Sequence, residues 1–106
     1  MHQPPAVFRV DSFAVPAAAM PAFTEALHHI QQILGRQPGC RQNLVLTRDG
    51  EPGAFNVVTL VEWASADALA AARAAVQAQY AKEGFSPAAL MRELGVSADM
   101  GVYSPT

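Results

Sequence analysis

Apolar residues recur along this chain with two different periods, and the switches between them mark out its elements. Residues 6–14 alternate as a strand does and carry Val7, Phe8, Val10 and Phe13. The alternation is imperfect, because Arg9 and Asp11 fall on the side of Val7 and Phe13. Val15-Pro16 ends the strand. From Met20 the period lengthens: Phe23, Leu27, Ile30 and Leu34 follow three and four apart, and Ala26 and Ile33 widen the stripe. This spacing predicts a helix beginning near Ala18, with Pro21 in its first turn, where a missing N–H costs little. Gly35 reads as its stop and Pro38-Gly39 as the following turn.

Residues 40–48 return to alternation. Leu44 and Leu46 share a face with Cys40, and Asn43, Val45 and Thr47 share the other. The cluster Arg48-Asp49-Gly50-Glu51-Pro52-Gly53 predicts a hairpin turn into a third strand over 54–63. That strand carries Phe55, Val57, Thr59, Val61 and Trp63 on one side and Asn56, Val58, Leu60 and Glu62 on the other. Two largely apolar sides require cover on both. Ser65 is the N-cap of a second helix running to about Lys82, with Asp67 near its positive end and Leu69, Ala72, Val76 and Tyr80 inward. A short helix follows Gly84, specified by Ser86 as cap, Pro87 at the first position and Phe85 packing on Leu90, and Gly95 ends it. The last strand covers about 97–104, with Met100, Val102 and Tyr103. The order strand, helix, strand, strand, helix, strand is the split βαβ, or ferredoxin-like, arrangement of the α+β class. Residues 1–106 form one domain. Its four-stranded antiparallel sheet is expected to carry helices on one face only. The bare face is also apolar, so two copies are expected to pair across a two-fold axis as a dimeric α+β barrel.

Composition strengthens the expectation of a homodimer. Charged residues make up 15% of the 106-residue chain and hydrophobic ones 51%, against about 25% charged in an average globular domain. Mean hydropathy is +0.13. One small subunit cannot shield that much apolar surface, even allowing for alanine on exposed helix faces. The formal charge of −2 comes without any basic cluster, which argues against nucleic acid. The start of the chain lacks the pattern of a secretory signal, and no apolar run approaches the ~20 residues of a membrane span. A cytoplasmic location is the expectation. Cys40 is the only cysteine, so no internal disulfide forms and no cysteine cluster points to a metal. Glycine-rich phosphate loops, nucleophile elbows and paired-histidine zinc motifs are absent, so no cofactor is called.

Several segments together resemble the antibiotic biosynthesis monooxygenase family: Phe23, Gln37-Pro38-Gly39-Cys40, Val61-Glu62-Trp63-Ala64-Ser65, then Ala68, Leu69 and Ala72, and finally Tyr103. The resemblance implies the dimeric barrel and one of two chemistries. One is oxygenation of polycyclic aromatic compounds without metal, flavin or haem. The other is oxidative haem degradation. Haem-degrading members carry an asparagine in the first strand and a histidine on the second helix. This chain has no asparagine over 6–14 and no histidine over 64–106. The cofactor-free oxygenases carry an asparagine where this chain has Thr59.

The expectation is therefore a cofactor-independent monooxygenase acting on a small or polycyclic aromatic compound, with one mainly apolar pocket per subunit. The alternative is a non-catalytic ligand-binding or regulatory dimer of the same fold; haem degradation, and isomerase or decyclase chemistry, stand behind these. The candidate site residues are Trp63, Arg73, Tyr80 and Tyr103. Trp63 is either a platform for a flat ligand or a core tryptophan. Arg73, beside the inward stripe of its helix, either holds an anionic oxygen or reaches to solvent. Tyr80 and Tyr103 either donate hydrogen bonds to a carbonyl or simply pack. Arg9 and Asp11 are expected to pair, with each other or across an interface. Asn43, Asn56 and Glu62 are lesser candidates. His28 and His29 fall on opposite flanks of the first helix, away from its apolar stripe, and read as solvated. Cys40 reads as a small apolar residue.

Overall fold

A computed structural model describes residues 3–49 and 54–106. The elements are β1 (Val7–Ala14), α1 (Met20–Gly35), β2 (Cys40–Thr47), β3 (Val57–Trp63), α2 (Ala66–Glu83), α3 (Pro87–Leu94) and β4 (Ser97–Tyr103). The four strands form one antiparallel sheet in the order β2-β3-β1-β4. This is the ferredoxin-like fold that the pattern predicts. Of the turn cluster expected between β2 and β3, residues 50–53 lie outside the described residues.

Local chemistry explains most boundaries. A 3-10 turn, Ala17–Ala19, precedes α1, and Pro21 stands in its first turn. Ser65 caps α2 by accepting from the Ala68 N–H at 3.0 Å, and Ser86 caps α3 by accepting from Ala89 at 3.2 Å. Gly84 and Gly95 end those helices in the left-handed conformation. Gly35 behaves differently: it is the last residue of α1, and Arg36 closes the helix with ordinary helical angles. The glycine in the left-handed region there is Gly39, inside the turn.

Two sequence expectations need correction. Strand β3 begins at Val57 rather than at residue 54. Asn56 interrupts the approach, because its side-chain amide grips the backbone of Val15 at both N–H and C=O, 2.9 and 3.0 Å. Cys40 does not share a face with Leu44. The β2–β3 register slips between Cys40 and Gln42, so Arg41 is an extra residue. The bulge returns Cys40 to the helix-facing side opposite Trp63, while Leu44 and Leu46 face away from the helices opposite Leu60 and Val58.

The helix-facing side of the sheet holds two hydrophobic cores. One gathers Phe13, Val15, Ala19, Phe23, Leu27 and Val57, with the Phe13 and Phe23 rings edge to face at 5.1 Å. The other gathers Val7, Val61, Trp63 and Ala72. Along β1 they lie at opposite ends, and Arg9 and Asp11 stand between them. Reciprocal bonds tie α1 to β2: Gln31 donates to the Asn43 carbonyl at 2.7 Å and Asn43 donates to that of Gln31 at 2.8 Å. The two lesser-candidate asparagines are therefore engaged with backbone.

Candidate functional site

Between the two cores the sheet and helices separate around a cavity of about 500 Å³. Its walls are mostly aliphatic and aromatic, from Phe13 and Val61 on the sheet to Leu27, Ile30 and Leu34 on α1 and Leu69 and Val76 on α2. Leu90 and Met91 of α3 and Met100 of β4 complete it. An apolar hollow of this size with few polar groups is the ordinary form of a small-molecule site.

Three of the four sequence-predicted residues line it: Trp63, Arg73 and Tyr80. Trp63 is only 1% exposed and belongs to the second core, yet one side of it borders the cavity. The two readings of this residue are thus not exclusive. No described residue accepts a hydrogen bond from its indole N–H, while no fully buried side-chain nitrogen or oxygen is left without a partner. Arg73 lies on an exposed part of α2 at the rim and has no ion-pair partner among the described residues. Tyr80 is half-buried, with its ring edge to face on Phe85 at 5.3 Å. Burial, and secondarily the Glu83 carboxylate, push its phenol up to about 12. At neutral pH it is a hydrogen-bond donor.

Tyr103 is elsewhere. It pairs with Phe8 on the sheet face turned away from the helices and is 56% exposed. It does not meet the other three within one subunit. The Phe85 ring stands between those of Tyr80 and His29, the latter 6.3 Å away. His28 and His29 are exposed, as expected, with His29 held to Glu83 at 3.0 Å and His28 to Gln31 at 3.2 Å. The described residues contain no cluster of three or more potential metal ligands.

The cavity also gathers polar residues outside the four chief candidates, among them the Arg9 and Asp11 expected to pair and the lesser candidate Asn43. Arg9 and Asp11 form a salt bridge with each other, Nε to Oδ1 at 2.7 Å, with their side chains 28% and 16% exposed. A second Arg9 nitrogen lies 3.4 Å from the Met100 sulfur. Thr59 faces Asp11 across the β1–β3 ladder, and Gln31, Asn43 and Gln77 complete the polar lining. The signal was present in the sequence as two charges at i and i+2 on an apolar strand face.

No helix among the described residues is long and apolar enough to cross a membrane. No curated protein matches the chain. Among solved structures, SnoaB from Streptomyces nogalater, a cofactor-independent oxygenase, is similar at 27% identity, over 96% of this chain and 94% of its own, with a TM-score of 0.63. A conserved protein from Methanosarcina mazei shares the fold at 17% identity and a TM-score of 0.74, over 96% of this chain and 94% of that one. So does a variant of MhuD with two manganese protoporphyrin IX molecules bound per active site, at 19% identity and 0.70, over 94% of each chain. The family model for antibiotic biosynthesis monooxygenase matches residues 6–84. With three-quarters of its length so matched, this chain belongs to the antibiotic biosynthesis monooxygenase family.

Proposed function

We propose that this protein is a cofactor-independent monooxygenase that oxidises a small or polycyclic aromatic compound with molecular oxygen. One observation carries the reading: a 500 Å³ cavity with mostly apolar walls takes all its charged groups and its tyrosine from the sheet and α2. Family membership and the likeness to SnoaB support it. The reaction suited to such a site begins with loss of a proton from an activated ring carbon. The electron pair left behind spreads into the ring carbonyl. Oxygen combines with that carbon, and the resulting peroxide breaks its O–O bond as the carbon's second hydrogen leaves as a proton, which yields a new carbonyl and hydroxide. One oxygen atom stays in the product and the other leaves as water.

In this reading the apolar walls exclude water and hold the ring plane, and Trp63 forms part of that wall. Arg73 at the rim balances a phenolate oxygen. Tyr80, protonated at neutral pH, donates to a carbonyl as charge develops on it. Tyr103, on the far face of the sheet, takes no part in this subunit's reaction.

The test is oxygen uptake by chelator-treated protein supplied with a hydroxyanthrone, with labelled oxygen gas to follow the atoms. Uptake well above autoxidation, with one labelled atom per product molecule, is the expected result. Binding of the anthrone without oxygen uptake would instead make the protein a binding module, and turnover of haem in a parallel assay would change the substrate class.

A further inference from the structure

The charged pair at the middle of the sheet stands out against the apolar walls of the cavity. Arg9 and Asp11 project between two apolar cores, from strand positions where aliphatic residues would pack at least as well. A largely desolvated ion pair is seldom retained for stability, since apolar replacements are often as stable or more so. Its geometry is specific. Arg9 Nε holds Oδ1 of Asp11 at 2.7 Å, which fixes the direction of the carboxylate. No described residue is bonded to Oδ2. Because no fully buried polar side-chain atom lacks a partner, Oδ2 retains open space, and the space that Asp11 borders is the cavity.

Asp11 is also the only carboxylate among the described residues that line the cavity, and no histidine lines it. The other titratable groups there are Arg9, Arg73 and Tyr80. The two guanidinium groups are permanently charged donors, and Tyr80 keeps its proton until about pH 12. None of the three can accept a proton at neutral pH.

We propose that Asp11 is the proton acceptor of this site, with Arg9 as its positioning residue. This rests on the oxygenase reading for its substrate class, but not for the proton transfer itself. The C–H bond breaks and its proton passes to Asp11 Oδ2. The bonding pair stays on the substrate as an enolate, whose charge faces Arg73 or Tyr80. After oxygen has added, the peroxide O–O bond and the carbon's second C–H bond break together, that hydrogen leaves with the outer oxygen as hydroxide, and Asp11 returns its proton to the hydroxide, giving water. Oxygen is the only co-reactant.

The proton step can be read without oxygen. Dithranol, a dihydroxyanthrone, is incubated in oxygen-free heavy water with wild type, Asp11→Asn and Asp11→Glu, and deuterium entry at the acidic carbon is followed by NMR. Trp63, the only tryptophan of the chain, reports binding by fluorescence quenching. Wild type should accelerate exchange over buffer. Asp11→Asn should slow it by about 100-fold or more, the usual contribution of a general base, while quenching stays near wild type. Asp11→Glu should recover part of the rate, and Arg9→Lys should lower the rate constant more than the affinity. Exchange by Asp11→Asn at the wild-type rate overturns the proposal, as does a wild-type rate equal to buffer. Exchange that depends on Asp11 but is followed by no oxygen uptake in air upholds the acceptor and sinks the oxygenase reading.

Discussion

Tyr80 and Trp63 show how much a tertiary setting changes what a side chain can do. Tyr80 has its phenol pushed up to about 12, first by burial and then by the neighbouring Glu83 charge. A phenol raised in the folded state contributes stability that is fully present below its unfolded value near ~10 and is lost as pH climbs through about 12. The check is phenolate absorbance in a Tyr103→Phe variant, which leaves Tyr80 as the one tyrosine. The folded protein should titrate near pH 12, and addition of denaturant should bring the midpoint down to ~10. A folded midpoint already near the unfolded value would remove the argument that Tyr80 acts only as a donor. The hydrophobic pattern placed Tyr80 inward but could not supply Glu83 as a neighbour, because that depends on how α2 ends. For Trp63 the sequence left platform and core open, and the packing places it in the core with one side bordering the cavity. The Arg9–Asp11 pair was visible as two charges on an apolar face; that they pair with each other and border a cavity depends on the gap between the two cores.

The Pro38-Gly39 turn packs closely on the start of α2. The Ala64 N–H donates to the Gly39 carbonyl at 2.8 Å. Gly39 has φ +88°, and a Cβ added there would come within 2.7 Å of the Ala68 Cβ. Two of the segments that carried the family resemblance are thus one contact, which needs a glycine on one side and a small residue on the other. Gly39→Ala is expected to destabilise the fold by about 2 kcal/mol or more, combining a disfavoured backbone region with a steric clash. Gly84→Ala has a similar φ of +67° but meets nothing within 4 Å, so it should cost about 1 kcal/mol. Urea denaturation of the two variants compares them, and equal losses would contradict the packing argument. Farther along, α1 and α2 are joined by His29 and Glu83. The hydrogen bond from His29, helped by Gln79, holds the Glu83 carboxyl below its usual range. That tie contributes above the ordinary carboxylate value and is lost as pH falls through the lowered one. Strand alternation was legible in the sequence, but the Arg41 bulge was not, since nothing in the local pattern reveals a register slip that depends on the partner strand.

For the whole molecule, the sheet has a second face with no helix on it. Leu44 and Leu46 stand 42% and 50% exposed there, beside half-buried Phe8, Val10, Val58 and Leu60. Such a continuous apolar face calls for a partner surface, and a second copy of the same face is self-complementary about a two-fold axis. The expected outcome is a homodimer in sedimentation at micromolar concentration, converted to single subunits by Leu44→Asp/Leu46→Asp. A folded wild-type subunit that sediments alone at that concentration would end this expectation. The sequence by itself determined the element order, the helix caps, the two-sided apolar sheet and hence the fold, because periodicity, capping and turn chemistry act over a few residues. Only the tertiary structure decided which polar groups share a cavity. That outcome depends on strand register, on a bulge in β2 and on the gap between two cores, all set by contacts between residues far apart in the chain. Tyr103 and Asp11 show the difference: neighbouring strands carry both, yet the pleat turns Tyr103 away from the cavity and Asp11 toward it.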